Sequence, residues 1–413
     1  MIDRIIQWSL HNRLIVIALA LVLLVWGGYS TIKAPVDVFP DLTAPSVTIV
    51  TEAHGMPPED VEKLITFPIE SAMNGASGVR RVRSNSGIGI SVVTVEFDWE
   101  TDVYLARQMV SERLQTLQNE LPADVGAPQM APVSSIMGEI MFLALTSEAH
   151  SEIELKTTAD YTIRRRLLAV PGVAEVISTG GQVKQYQVVA KPDALIANDL
   201  SLDDVTKALE GSNMTSSAGF VKQNQQEFLI QGMGRIESQS DIEQTVIVNR
   251  GGIPVLVQDI ANVEVGPALR RGTAAFNGRS GVVLGIQKQP NTNTLELTDD
   301  LDRVINDINQ SLPEGMTLQT DTFRQSDFIE TSIGNLNSAL RDGAILVVAI
   351  MFIFLFSARA TGIALVAIPL SLLVAVLTIR HFGGSLNTMT LGGMTIALGA
   401  LVDDAIIVVE NVV

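Results

Sequence analysis

No cysteine occurs in the 413 residues, which excludes disulfides and thiolate metal sites. Histidine is scarce as well. His11, His54, His150 and His381 stand far apart, without the spacing of a metal-ligand set. No G-x-x-x-x-G-K-[ST] run is present, so the chain carries no P-loop for ATP. The segment GIGISV at Gly87 has half of a dinucleotide fingerprint, but Ile88 to Val92 continue as a strand rather than opening a helix. Aromatic residues make up 5% of the chain and charged residues 18%. An enzyme reading has no residues to stand on.

Basic residues are also in deficit, with 28 Lys+Arg against 45 Asp+Glu and a net charge of −17. The deficit is local. Residues 33–338 hold 23 Lys+Arg and 40 Asp+Glu and so account for the whole net charge. Such a segment is a poor partner for nucleic acid, whose phosphates need the opposite sign. It tolerates or attracts cations, although solubility alone would explain the same composition.

What the chain has in quantity is apolar sequence, 47% of it, gathered at the two ends. Leu14 to Tyr29 is uninterrupted by charge, and Ala344 to Phe356, Thr361 to Ile379 and Leu391 to Val413 follow late. A membrane span needs ~20 mainly apolar residues. The last two runs meet that directly, the first two once flanking Gly, Ser, Ala and Thr are counted. Met1 to Asn12 is amphipathic through Ile2, Ile5, Ile6 and Leu10, and no A-x-A site follows the first run. Residues 1–32 therefore read as an interfacial helix leading into an uncleaved span. Arg4 and Arg13 place the N-terminus in the cytoplasm, so the long middle segment lies outside, and Arg359 in the turn SARA returns to the cytoplasmic side. Arg380 and His381 then fall outside, against the charge rule.

The middle segment repeats itself. GVRRVRSNSG from Gly78 and GVAEVISTGG from Gly172 lie 94 residues apart, matching at Gly78/Gly172, Val79/Val173, Val82/Val176, Ser84/Ser178 and Gly87/Gly181. Each follows a helical stretch (Glu59 to Asn74, Thr157 to Val170), and β-rich SVTIVTEA and IMFLALTS precede those. The first unit, 33–132, continues through ISVVTVEFDW and a helical DVYLARQMVSERLQTLQNEL, giving a β-α-β-β-α-β, ferredoxin-like order. In the second unit, 133–181 with 270–331, the matching half arrives late. The interval 182–269 is an insertion with a hairpin around KQNQQE. The fold class expected is thus α+β, with transmembrane helices and a large extramembrane domain; 332–413 carries the second to fourth spans. RNA-binding domains share this order but need stacking aromatics and a basic surface, and both are lacking.

Thirteen methionines raise the question of soft metals, since thioethers suit Cu(I). Met130, Met137 and Met141 cluster, and Met389 and Met394 precede the last span, but Met is also ordinary core filler. More pointed are Asp403 and Asp404, side by side within the last run. A charge at the bilayer centre costs at least ~2.5–3.5 kcal/mol. With Leu391 at the outer face, Asp403 lies ~18 Å along the helix, in mid-membrane. Glu410 and Asn411 follow seven residues on from Asp403 and Asp404, on the same face. Gly392, Gly393, Gly399 and Ala400 would let a neighbouring helix approach. Burial and a like-charged neighbour favour the protonated form of a carboxyl, so the pair is suited to take a proton from one side and give it to the other. A static ion pair is the alternative, but no other span offers a Lys or Arg for it.

PVDVFPDLTAPSVTIVTEAHG, PPEDVEKLITFPIESAMNG, GVRRVRSNSGIGISVVTVEF, TDVYLARQMVSERL and LGALVDDAIIVVENV together resemble the resistance–nodulation–division (RND) efflux permeases over essentially the whole chain. The resemblance implies a proton-driven homotrimer of the bacterial inner membrane, without cofactor, working with a periplasmic adaptor protein and an outer-membrane channel. It implies that the two ferredoxin-like units are porter subdomains and that 182–269 is a docking subdomain whose hairpin reaches a neighbouring protomer. It implies twelve spans in two halves, of which this chain would supply the first part, with the basic partner of Asp403 and Asp404 in the remainder. FPIESAMNG, YLARQMVSERL and APVSSIMGEI resemble the heavy-metal branch (copper–silver and cobalt–zinc–cadmium exporters), where Met389 matches a methionine of the export path. Leu401 stands at a second such position, and the doubled VDDA resembles the multidrug branch. Metal cations lead as substrate; drugs and other hydrophobic compounds, or a membrane-anchored export accessory without transport of its own, stay open.

Overall fold

The computed structural model describes the chain apart from residues 1–6, 10, 33–35, 38–43, 54, 118–119, 124, 134–137, 215, 224–225, 233, 271, 291, 356–357, 383, 385, 388, 398–399 and 401–413. Helix α1 (Arg13–Ile32) carries the first apolar run. Among the described residues it is the one helix long and apolar enough to cross a membrane, over Arg13–Thr31. The short strand β1 (Val36–Asp37) follows.

A first α/β unit comprises β2 (Ser46–Glu52), a helix α2 (58–73), β3 (Val79–Gly87), β4 (Ile90–Phe97), α3 (Val103–Leu117) and β5 (Gln129–Met130). Its sheet runs β3-β4-β2-β5, every neighbour antiparallel. Strict alternation turns the β-prone residues Val47, Ile49, Val93, Val95 and Phe97 to one face. Val61, Ile65, Ile69 and Met73 of α2 and Ala106, Val110, Leu114 and Leu117 of α3 close over them. The α2 residues are spaced by four throughout. That spacing drifts around a 3.6-residue helix, and a π-helical turn at Glu62–Thr66 takes up the drift.

The second unit opens with β6 (Glu139–Ser147), α4 (152–168) and β7 (Val173–Gly180). Helix α4 repeats the device: Leu155, Ala159, Ile163 and Leu167 are buried four apart, around a π turn at Ala159–Ile163. It starts on a capping box in which Ser151 and Glu154 satisfy one another's backbone N–H groups. In both units the first helix runs into its strand through the same turn. Val79 N–H donates to Ala76 O and Val173 N–H to Val170 O, each at 3.2 Å, with Gly78 at φ +73° and Gly172 at φ +97°. Glycine at the third position is what a type II turn demands, and Pro171 at the second pre-sets the other. The repeated glycine is therefore a backbone requirement.

The chain then leaves the second unit. Strand β8 (Lys184–Ala190), helices α5 (Pro192–Ala197) and α6 (Leu202–Ser212), and the hairpin β9 (Ser216–Gln223) with β10 (Gln226–Gly232) come first. Then follow α7 (Gln239–Glu243), β11 (Val246–Arg250), β12 (Ile253–Leu256), α8 (Val257–Ile260) and β13 (Ala261–Pro267). Seven antiparallel pairs from Ala190↔Ala261 to Lys184↔Pro267 close the segment at its base. Its core is smaller, built on Leu195, Val205, Ile242, Val257, Ile260, Ala261 and Val263. The β9–β10 hairpin leaves Phe220, Phe228 and Leu229 exposed.

Strands β14 (Ala274–Phe276) and β15 (Arg279–Lys288), helix α9 (Thr294–Ser311) and β16 (Met316–Gln319) complete the second unit. β15 enters between β6 and β7 and β16 pairs with β6. The resulting order, β7-β15-β6-β16, is that of the first sheet. Leu297, Leu301, Ile305 and Ile308 of α9 complete its core.

Helix α10 (Gln325–Leu355) leads away over 31 residues. Arg324 fastens its start to α9, with Nη1 and Nη2 donating to the two carboxylate oxygens of Asp302 at 2.9 and 2.6 Å. Those hydrogen bonds, with the nearby charges of Asp302, Asp327 and Glu330, hold the guanidinium pKa above its ordinary value against the opposing effect of burial. Helix α11 (Ala358–His381) and strand β17 (Leu386–Asn387) follow. Within α11 the apolar stretch Pro369–His381 is shorter than a span. β17 pairs in parallel with β1, and a helix α12 begins at 389–397.

Candidate functional site

The entry to α12 is the described part of the expected ion path. Asn387, nearly fully buried, caps it: Thr390 N–H donates to Asn387 Oδ1 at 2.9 Å, and Asn387 N–H donates to Thr390 Oγ1 at 2.8 Å. Asn with Thr three residues on is the capping-box arrangement, so this helix has a fixed origin. Val376 of α11, Leu386 and Met394 pack together beneath it. Met389 lies in the first helical turn and is 64% exposed. Met394 is thus committed to packing, whereas the Met389 thioether stays accessible.

Asp403, Asp404 and Glu410 lie outside the described residues, as does Leu401. Among the described residues nothing lies within 4 Å of a Cβ built on Gly392 or Gly393. One close helix approach among them is at Gly27. A Cβ on Gly27 of α1 would meet Leu373 Cβ of α11 at 3.1 Å, so it is the glycine of the first span that lets two helices touch. Gly27 carries no local signal for this role, because its partner Leu373 lies far away in sequence.

The other methionines divide cleanly. Met141 is fully buried in the second unit's core and Met130 packs on the first, so these two do not share a site; Met137 lies outside the described residues. Among the described residues no group of three or more His, Asp or Glu could hold a metal ion.

Two cavities stand out. One, about 420 Å³, lies where the inserted segment joins the second unit, lined by Lys156, Ser178, Gly180, Gly181 and Arg270 among others. Its cations are already committed. Lys156 Nζ donates to Ser178 O and Oγ at 3.0 and 2.7 Å, and Arg270 pairs with Glu152 at 2.7 Å. The second, about 440 Å³, lies between the ends of α1 and α11. On the open face of the first sheet, Glu96 accepts from Arg81 Nη2 at 2.7 Å and also from Arg83. The Arg81 hydrogen bond holds the Glu96 carboxyl below its ordinary value, burial opposes this, and the two arginine charges reinforce it.

A family model described as the AcrB/AcrD/AcrF family matches residues 5–413. Protein HelA of Legionella pneumophila is 36% identical over 418 residues, which takes in 100% of this chain and 39% of that protein. Cation efflux system protein CusA of Escherichia coli is 35% identical, and cobalt-zinc-cadmium resistance protein CzcA of Cupriavidus metallidurans 33%, each over 100% of this chain and 39% of the relative. The chain thus spans about two-fifths of the length of the curated relatives it matches. A heavy metal efflux pump solved in two crystal forms superposes with TM-scores of 0.84 and 0.85 at 27% and 28% identity, covering 93% and 98% of this chain and 38% and 41% of the pump.

Proposed function

The chain belongs to the AcrB/AcrD/AcrF family of RND permeases, and on that premise we propose that it serves proton-driven export of heavy-metal cations across the bacterial inner membrane. One observation carries the reading. Similarity to a cation efflux protein, at 35% identity, runs through all of this chain, extramembrane units included. Asp403 and Asp404 act as the proton relay, with Glu410 on the same helix face. The accessible thioether of Met389, at the mouth of that helix, takes the metal ion as substrate.

The two β-α-β-β-α-β units act as porter subdomains, and the inserted segment as the docking subdomain. Phe220, Phe228 and Leu229 on the β9–β10 hairpin support docking against a neighbouring protomer of a homotrimer, since such apolar tips are costly in water. An adaptor protein and an outer-membrane channel complete the path out of the cell. The chemistry is transport, without bond-making on the substrate.

The test is a deletion strain for the complete transporter, challenged in parallel with copper, silver, zinc and cobalt and with dyes and detergents. Sensitisation to one or more metals is expected. Sensitisation to dyes and detergents alone would favour a multidrug exporter, and an unchanged strain an accessory role.

A further inference from the structure

Arg380 and His381 stand on the outer side of the membrane in the topology above, against the tendency of basic residues to lie inside. They form the last turn of α11, next to the outer end of α1. Arg380 Nη1 donates to the Ser30 carbonyl at 2.9 Å and to Ser30 Oγ at 2.5 Å. Guanidinium has five donors, so this bond fixes the group and leaves most of its donors to other partners. Among the described residues no carboxylate pairs with Arg380 or His381.

The cavity of about 440 Å³ opens against these two residues and is otherwise lined by Trp26, Tyr29, Ser30 and Leu377. Trp and Tyr at a helix end lie at headgroup depth, while Leu377 and the indole offer an apolar wall. A helix C-terminus ordinarily repels anions. Here the Thr378 and Ile379 carbonyls are taken up by the N–H groups of Phe382 and Gly384, at 3.1 and 2.8 Å, so the guanidinium charge dominates. We propose that this cavity binds the phosphate of an anionic phospholipid of the outer leaflet, held by Arg380 and His381 with its acyl chain along Trp26 and Leu377. A guanidinium plane meets two phosphate oxygens at once. A zwitterionic headgroup would bring its ammonium against the same guanidinium, so the site selects anionic lipid. The assignment rests on the outer-face reading of this turn.

The test uses the complete transporter, purified and examined by native mass spectrometry with equal amounts of phosphatidylglycerol and phosphatidylcholine. Preferential retention of phosphatidylglycerol is expected, lowered about tenfold in R380Q, or ~1.4 kcal/mol, and lowered less in R380K. His381→Gln leaves the Ser30 contact in place and is expected to lower retention about threefold; it carries the test if R380Q does not fold. Equal retention by wild type and variants, or no preference for the anionic lipid, overturns the proposal. Displacement of the lipid by inorganic phosphate at equal concentration overturns the lipid assignment in favour of a soluble phosphate. Sidedness is read separately from a thiol placed by F382C, at a position 82% exposed. Periplasmic labelling by a membrane-impermeant reagent is expected. Labelling from the cytoplasm alone overturns the outer-face reading, whereas periplasmic labelling without lipid preference overturns the cavity's role alone.

Discussion

Asn has nearly the shape of Asp but cannot ionise, and so Asp403→Asn and Asp404→Asn separate the two explanations of the acidic pair. A relay predicts transporters that insert and assemble normally but do not pump. A static ion pair predicts that neutralising one partner strands the other, costing ~3–5 kcal/mol, with expression failing along with flux. Full export by both variants would sink the relay. Glu96 offers a titration outside the membrane. Its carboxyl is depressed below 4.5 in the folded protein by Arg81 and Arg83. The stability it contributes is therefore present above the unfolded value and lost as pH falls through the folded one. Comparing urea midpoints of wild type and Glu96→Gln is expected to show the largest difference above about pH 4.5, where the unfolded carboxyl is ionised, and a shrinking one in more acid solution. A difference independent of pH would remove the charge from the explanation.

At the scale of elements, the repeated glycine gives a graded prediction. Ala at position 172 must adopt φ +97° and brings its Cβ to 2.8 Å from Thr292 Cγ2. At position 78 the dihedral is similar, but the nearest atom is Thr101 Oγ1 at 3.3 Å. Both substitutions are expected to destabilise, by about 1–3 kcal/mol, with Gly172→Ala the worse of the two by denaturant midpoint. The two π turns belong to this scale as well. The spacing by four of Val61, Ile65, Ile69 and Met73 and of Leu155, Ala159, Ile163 and Leu167 reads in the sequence simply as amphipathic helix, and the structure alone shows the π turns. The hairpin at Ser216–Gln223 and Gln226–Gly232 was legible because KQNQQE interrupts two β-prone runs.

For the whole molecule, the net charge of −17 belongs entirely to residues 33–338, between the first and later apolar runs. Loop parity with Arg4, Arg13 and Arg359 predicts that this segment lies in the periplasm. A reporter active only there, fused near Gln223 to Gln226, is expected to be on; cytoplasmic activity at that position would overturn the topology and with it the outer location of Arg380. Among the described residues, the helix over Arg13–Thr31 is long and apolar enough for the first crossing. The fourth expected run extends into residues outside those described.

The sequence by itself determined the family, through motifs spread over the whole chain, and the order of strands and helices in the two repeated units, through local alternation and spacing. Local signals suffice there because side-chain period and turn chemistry act within a few residues. Tertiary structure alone decided which methionines are committed to packing. Met141 and Met130 belong to two separate cores, whereas Met389 stays exposed, and a one-dimensional cluster cannot distinguish those fates. It alone brought Arg380 against Ser30, 350 residues away in sequence, because hydrogen bonds of that separation depend on how helices pack and leave no periodic trace in the chain.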